Sequence, residues 1–174
     1  GRCNTTTGMC ECKPDCPNGD IGCGDDGCGG TCGQCTTGFQ CGGDVCSIVM
    51  NDPWVVTITT GTIQDKTLMG DAWDFPGGLP DPIVCLTIHA HAEVCTPSKA
   101  DTVMPTWNFE LPAATAADLL AGIQFRILDE DSIGNPNDVI CNPSTQSVQV
   151  SDLRSKTWMA GCVSGKFNVT FAPK

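Results

Sequence analysis

The 174-residue chain has no tyrosine, two histidines, and nine basic residues against 20 acidic ones. The shortage of bases leaves a formal net charge of −11. Contact with the phosphates of DNA or RNA needs a basic face, so no nucleic-acid partner is expected. The same shortage leaves no polybasic patch for anionic lipid headgroups. No apolar run approaches the roughly 20 residues of a membrane-spanning helix. A Gly-x-Ser-x-Gly elbow, a His-Glu-x-x-His pair, a phosphate loop and a dinucleotide-binding glycine pattern are all missing. These absences point to a binding or structural protein rather than an enzyme. Internal repeats and low-complexity tracts are missing too. The sequence opens on Gly1, not methionine, which reads as a processed mature chain.

Cysteine, by contrast, is abundant: 14 residues in all. Cys3, Cys10, Cys12, Cys16, Cys23, Cys28, Cys32, Cys35, Cys41 and Cys46 crowd the start, and Cys85, Cys95, Cys141 and Cys162 follow at wide spacing. Such density implies an oxidising compartment and a disulfide framework, hence a secreted, extracellular protein. Zinc held through Cys32-Gly-Gln-Cys35 is the competing reading, but no histidine lies nearby. A redox role for that Cys-x-x-Cys lacks the βαβ setting it needs. Met9, Ile21 and Phe39 are almost the only large apolar residues of the first 46, so this segment must be stapled rather than packed. Each bridge contributes roughly 2–4 kcal/mol. Glycines 22, 24, 27, 29, 30 and 33 supply positive φ and close backbone approach between bridges.

Composition changes across residues 47–53. The boundary divides a cysteine-rich module, 1–48, from a second domain, 49–174. In the second part, short β-branched or alternating runs at 54–60, 83–90, 92–96, 106–111, 123–128, 139–141, 147–150 and 166–171 are separated by turn residues. That spacing predicts an all-β protein, an antiparallel sandwich. The alanine-rich stretch 113–121 reads as a short helical turn or the approach to the next strand.

Five aspartates form two clusters about fifty residues apart. Asp74 and Asp81 lie in Asp-Phe-Pro-Gly-Gly-Leu-Pro-Asp-Pro-Ile-Val (74–84), and Asp129, Asp131 and Asp138 in Ile-Leu-Asp-Glu-Asp-Ser-Ile-Gly-Asn-Pro-Asn-Asp-Val-Ile (127–140). Each cluster adjoins a strand-like run. Gathered carboxylates repel one another unless a cation lies between them. Ca²⁺ suits such a place, because it takes six to eight oxygens in a flexible shell. The bland alternative is that these acids solvate loops and cap turns.

Residues 54–174 resemble a C2 domain. Leu-Pro-Asp-Pro-Ile-Val (79–84) is similar to the family's Ser-Asp-Pro-Tyr-Val, with Ile83 at the tyrosine position. Thr102 to Phe109 resembles its Thr-x-x-x-Asn-Pro-x-Trp-Asn-Glu stretch. Asp129-Glu130-Asp131 followed by Asp138-Val139-Ile140 resembles its Asp-x-Asp loop and the Asp-x-Ile-Gly beyond, with Cys141 in place of the glycine. The resemblance implies an eight-stranded antiparallel C2-like β-sandwich preceded by a disulfide-stapled, loop-rich module. It implies Ca²⁺ as cofactor, with Asp74 and Asp81 as first-loop ligands and Asp129, Asp131 and Asp138 as third-loop ligands. Asp71 and Asn137 are alternative ligands, because both acidic loops run one residue longer than usual. Backbone carbonyls near Phe75 and Glu130 would complete the shell. Phe75, Leu79 and Ile133 fall at the loop tips as membrane or partner contacts.

Other motifs carry lesser expectations. His89 and His91 alternate on one predicted strand face and offer imidazole to a transition metal. Cys85 with Cys95, and Cys141 with Cys162, are plausible bridges, with the crossed pairings left open. Asn4-Thr5-Thr6 and Asn168-Val169-Thr170 are N-glycosylation sequons. A hevein-type sugar-binding reading of the head has Phe39 alone for stacking. The function these features favour is a secreted calcium-binding structural or adhesive glycoprotein, a subunit of an extracellular filament or surface layer that associates with itself or another extracellular protein. The alternatives are a calcium-dependent phospholipid-binding module, and a ligand- or protease-binding cysteine-rich head carried by the sandwich.

Overall fold

In the computed structural model the described residues are 2–3, 10–11, 15–16, 18–19, 22–74, 78–131 and 138–174, with backbone alone for 2–3 and 10–11. The chain divides into two compact units, Gly1–Met50 and Asn51–Lys174.

Among its described residues, the first unit is held by covalent bonds more than by apolar burial. β1 (Arg2–Cys3) pairs antiparallel with β2 (Cys10–Glu11), and β3 (Phe39–Gly42) with β4 (Val45–Ile48). Cys16–Cys32, Cys23–Cys41 and Cys35–Cys46 are bridged, and Cys28 is bridged as well. Cys32 and Cys35 therefore belong to separate bridges, and the thiolates that zinc or redox chemistry requires are not there. Cys12 and the side chains of Cys3 and Cys10 lie outside the described residues. Cys23, Phe39 and Cys46 are buried. Phe39 is thus packing and not a sugar platform, which removes the one aromatic left to the hevein-type reading. Gly24, at φ +91°, lies so close to the Gly43 carbonyl that a Cβ would be 2.9 Å from its oxygen. No other residue suits both demands.

The second unit is a sandwich of two antiparallel sheets. One has the order β11–β10–β6–β7, from β11 (Asp138–Gln146), β10 (Ile123–Asp129), β6 (Pro82–Ile88) and β7 (Val94–Cys95). The other runs β12–β13–β5–β8, from β12 (Thr157–Gly161), β13 (Gly165–Pro173), β5 (Pro53–Ile63) and β8 (Thr106–Glu110). The two-residue β9 (Ala114–Thr115) pairs with the start of β5.

Period-two alternation builds the core. Trp54, Val56 and Ile58 point inward from β5, Phe167, Val169 and Phe171 from β13, and Ile123, Phe125 and Ile127 from β10; all are essentially inaccessible. Phe167 meets Phe125 of the opposite sheet edge to face at 5.4 Å and Trp158 at 6.2 Å. Two disulfides reinforce the sandwich. Cys85–Cys95 joins directly opposed residues of β6 and β7. Cys141–Cys162 ties β11 to the β12–β13 turn.

Three local expectations change. The run 147–150 is no strand. It leads into α2 (Val150–Ser155), where the Gln149 amide donates to Asp152 Oδ2 at 2.8 Å. A helix start that satisfies its own donors outcompetes a four-residue strand with no partner. β12 escapes notice in the sequence because its Ala160 and Gly161 dilute a five-residue alternation. β6 stops at Ile88, so His89 and His91 lie in a turn where Ala90 adopts φ +61°. They share no strand face, and His91 Nε2 instead lies 3.4 Å from Asp118 Oδ2. Asp118 belongs to a capping box with Thr115 at the start of α1 (Ala116–Leu120). The hydroxyl of Thr115 and its amide hold the Asp118 carboxyl below its ordinary range, with His91 a smaller contributor.

Candidate metal centre

The acidic loops meet because of strand direction. β5 ends at Ile63, β6 begins at Pro82, and β10 ends at Asp129, opposite both Pro82 and Asp138 in register. The connections 64–81, 96–105 and 130–137 therefore leave from one end of the sandwich.

Asp129 has the most unusual position. It continues the inward series Ile123, Phe125, Ile127 by two residues, so alternation drives its side chain into the end of the core. It is fully buried. Its Oδ1 accepts from the Asp81 amide at 2.5 Å, while its Oδ2 is buried without a hydrogen-bond partner. Burial, with the negative charges of Asp74, Asp131 and Asp81 behind it, pushes its carboxyl up to about 6 against the pull of the Asp81 amide.

Around it the backbone lashes the loops together. Asp81 Oδ1 accepts from the Asp101 amide at 2.6 Å, and the Asp81 carbonyl from the Glu130 amide at 3.0 Å. Asp131 Oδ2 accepts from the Asp138 amide at 3.2 Å. Asp74 forms a bridge with Gly78, its carbonyl accepting from the Gly78 amide at 3.1 Å. Burial raises the Asp74 carboxyl, and so do Asp81, Asp131, Asp101 and Asp138.

The structure thus gathers Asp74, Asp81, Asp129, Asp131 and Asp138 at one end and adds Asp101, which lies outside both sequence clusters. Carboxylate oxygens of Asp74, Asp81 and Asp101 lie within 4.8 Å of one another. Calcium–oxygen bonds of 2.3–2.6 Å put ligands on opposite sides of an ion about 5 Å apart, so this separation suits a shared cation. The orphaned, buried Oδ2 of Asp129 also fits a metal neighbour, since burying an unpaired charge is otherwise costly. Gly78 completes the fit. A Cβ there would come within 2.8 Å of the Asp74 Cβ and 3.2 Å of its Oδ2, filling the cradle.

Asp101 carried one weak sequence signal, its place just before the Thr102–Phe109 stretch. Its φ of +49°, which aspartate tolerates better than most residues, turns its amide toward Asp81. Asp71 lies in a separate turn, where its carbonyl accepts from the Thr67 amide at 2.9 Å, and is not among the grouped carboxylates. Asn137, Phe75 and Ile133 lie outside the described residues. Leu79 is on the surface at 38% exposure.

No protein-family model and no curated protein matches the chain. Solved structures do. A single C2 domain of plant extended synaptotagmin 1 aligns with a TM-score of 0.52 at 17% identity, over 72% of this chain and 98% of that one. The calcium-bound tandem C2 domains of extended synaptotagmin 2 align with a TM-score of 0.50 at 13% identity, over 72% of this chain and 46% of that one. Human GIVD cytosolic phospholipase A2 matches at 18% identity and a TM-score of 0.49, and there this chain spans 17% of the relative's length. The sandwich has the C2 fold. This chain is a C2-fold β-sandwich with a disulfide-bridged N-terminal unit, and its acidic end could hold a metal ion.

Proposed function

We propose that this chain is an extracellular calcium-binding protein with a structural or adhesive role, in which Ca²⁺ draws the acidic loops into a docking tip. The observation that carries this reading is Asp129, a fully buried carboxylate with one unpartnered oxygen among five further aspartates. Asp74, Asp81 and Asp101 are the grouped candidate ligands, with Asp129, Asp131 and Asp138 as further carboxylates of the same end. The disulfides support an oxidising, extracellular setting. The module binds and does not catalyse.

Terbium tests the site directly. Trp73 precedes Asp74 in the chain and is buried, its Nε1 donating to the Gln64 carbonyl at 2.8 Å. Exciting tryptophan should therefore sensitise luminescence from Tb³⁺, and added Ca²⁺ should quench it by competition. No sensitised emission, or emission that excess Ca²⁺ leaves unchanged, would sink the reading. In the same assay Gly78→Ala should weaken Ca²⁺ at least tenfold, about 1.4 kcal/mol, because overpacking of this sort costs about 1–3 kcal/mol. Unaltered affinity would show that the Asp74–Gly78 bridge takes no part. For the assembly role, light scattering should show self-association that depends on Ca²⁺, and a monomer at every Ca²⁺ level speaks against it.

A second reading, calcium-dependent docking to phospholipid, has its own support. Leu68, Met69, Leu79, Met104, Val139 and Val163 are exposed, by 74, 91, 38, 72, 49 and 77% respectively. All six lie at or beside the loops of the acidic end. Exposed apolar residues concentrated at one end mark a docking surface, and neutralised carboxylates would let it approach an anionic layer. Flotation with phosphatidylserine vesicles, with Ca²⁺ and with chelator, separates the two: co-flotation with Ca²⁺ favours lipid, and its absence leaves protein contacts.

A further inference from the structure

The outer face of the five-stranded sheet, away from the acidic end, carries a motif that calcium binding does not use. In β13 the core takes Phe167, Val169 and Phe171, so Asn168 and Thr170 both face solvent. The sequon Asn168-Val169-Thr170 is therefore displayed with its amide and hydroxyl on one open surface. The disulfides fit the secretory route, where such sequons are used. We propose that Asn168 carries an N-linked glycan that lies over Met159 and shields the β12 edge.

The bond-making step balances without redox. Asn168 Nδ2 attacks C1 of a reducing-end sugar carried on a polyisoprenyl pyrophosphate. The C1–N bond forms, the C1–O bond to pyrophosphate breaks, and one amide proton leaves to base. The second amide hydrogen stays. Asn168 Nδ2 donates to Thr60 Oγ1 at 3.0 Å, and that bond persists after glycosylation provided the hydrogen replaced is the one that does not face Thr60. The contact that orients the free amide thus orients the sugar.

The neighbourhood is suited to a sugar. Met159 stands directly opposite Asn168 in register and is 57% exposed. With Thr60, Ser155, Thr157 and Thr170 it lines a depression of about 460 Å³, the size range of small-ligand sites. The apolar side of a sugar ring covers the methionine while its hydroxyls meet the threonines and serine.

The same sugar guards an edge. Phe171 donates to the Lys156 carbonyl and Cys162 to the Gly165 carbonyl, which sets the phase of the β12–β13 ladder. With that phase the main-chain groups of Trp158 and Ala160 face β13, and those of Met159 face outward. Ser155 Oγ donates to the Thr157 carbonyl and Gln146 Nε2 to the Gly161 carbonyl, so both flanks of the edge are covered. A glycan beside Met159 covers the middle, where another strand would otherwise add. Docking is thereby left to the loop end.

The test is glycopeptide mass spectrometry on the full chain secreted from eukaryotic cells. The peptide holding Asn168 should carry hexose and N-acetylhexosamine, and enzymatic deglycosylation should leave aspartate at 168. Thr170→Ala should abolish the modification although Asn168 remains, Thr170→Ser should keep it, and Asn168→Gln should abolish it without changing the disulfide pattern. A bare Asn168 peptide in protein secreted with its bridges formed would overturn the proposal. Oxidation of Met159 by dilute peroxide should be several-fold slower before deglycosylation than after. Equal rates would overturn the placement of the sugar over the methionine.

Discussion

Asp129→Asn is expected to make the calcium-free protein more stable at neutral pH and to erase most of its response to Ca²⁺. The wild-type carboxyl titrates near 6 in the fold against an ordinary value close to 4. The folded state therefore binds its proton more tightly than the unfolded chain does. The contribution of Asp129 to the stability of the calcium-free protein is greatest below the unfolded value and falls as pH rises from about 4 through 6. Above that, holding Asp129 ionised costs on the order of 3 kcal/mol. Asp74 shifts in the same direction. The amide of asparagine can still accept from the Asp81 N–H but carries no charge. A gain of about 2 kcal/mol would raise the melting temperature of a chain this size by roughly 4–8 °C.

Calcium reverses the sign. A cation beside the ionised group removes its penalty, so added Ca²⁺ should stabilise the wild type most at pH 7 and little at pH 4.5. At tenfold excess over Kd, linkage adds about 1.4 kcal/mol, and Asp129→Asn should lose most of it. The measurement is a grid of thermal melts, with pH and Ca²⁺ varied and the disulfides intact. A calcium-free wild type that melts higher at pH 7.5 than at pH 5, or a variant with an undiminished Ca²⁺ shift, contradicts the account.

Phe167→Ala should be the most damaging single change in the core. Phe167 has no exposed surface and makes edge-to-face contacts with Phe125 in one direction and Trp158 in the other. Truncation removes buried apolar area, leaves a cavity between the sheets and strands two rings. Such changes cost about 3–5 kcal/mol, a large share of the 5–15 kcal/mol that holds a typical domain together. Phe167→Leu fills most of the volume and should cost less than half as much. Urea titration of the oxidised protein reads both. Because Phe167 lies in mid-sandwich, the leucine variant should keep its Ca²⁺ affinity. A joint loss of stability and affinity would mean that packing at Phe167 also sets the loop geometry.

Both predictions rest on residues whose roles were unequally legible in the sequence. Trp54 to Ile58 and Ile123 to Ile127 alternate cleanly, and alternation is local chemistry: a pleated strand sends neighbours to opposite faces whatever surrounds it. The cysteine density likewise announces disulfides without any structure. The turn at His89 and His91 was hidden, because nothing local distinguishes the last strand residue from the first turn residue when the apolar run simply ends. α2 was hidden behind a short β-like run, although Gln149 and Asp152 carry the capping that starts it.

By itself, the amino-acid order determined the class: a disulfide-stapled head followed by an antiparallel β-sandwich, with aspartates clustered at loop positions. Composition, alternation and spacing are properties of short segments, and short segments suffice for these. Tertiary structure alone decided which cysteine meets which, that Asp101 joins the carboxylates, and that Asp129 is the buried one. Those outcomes depend on register between strands far apart in sequence. A pairing that sets Asp129 opposite Pro82 exists only once β6 and β10 are hydrogen-bonded, and no local pattern specifies how far either strand slides before it locks.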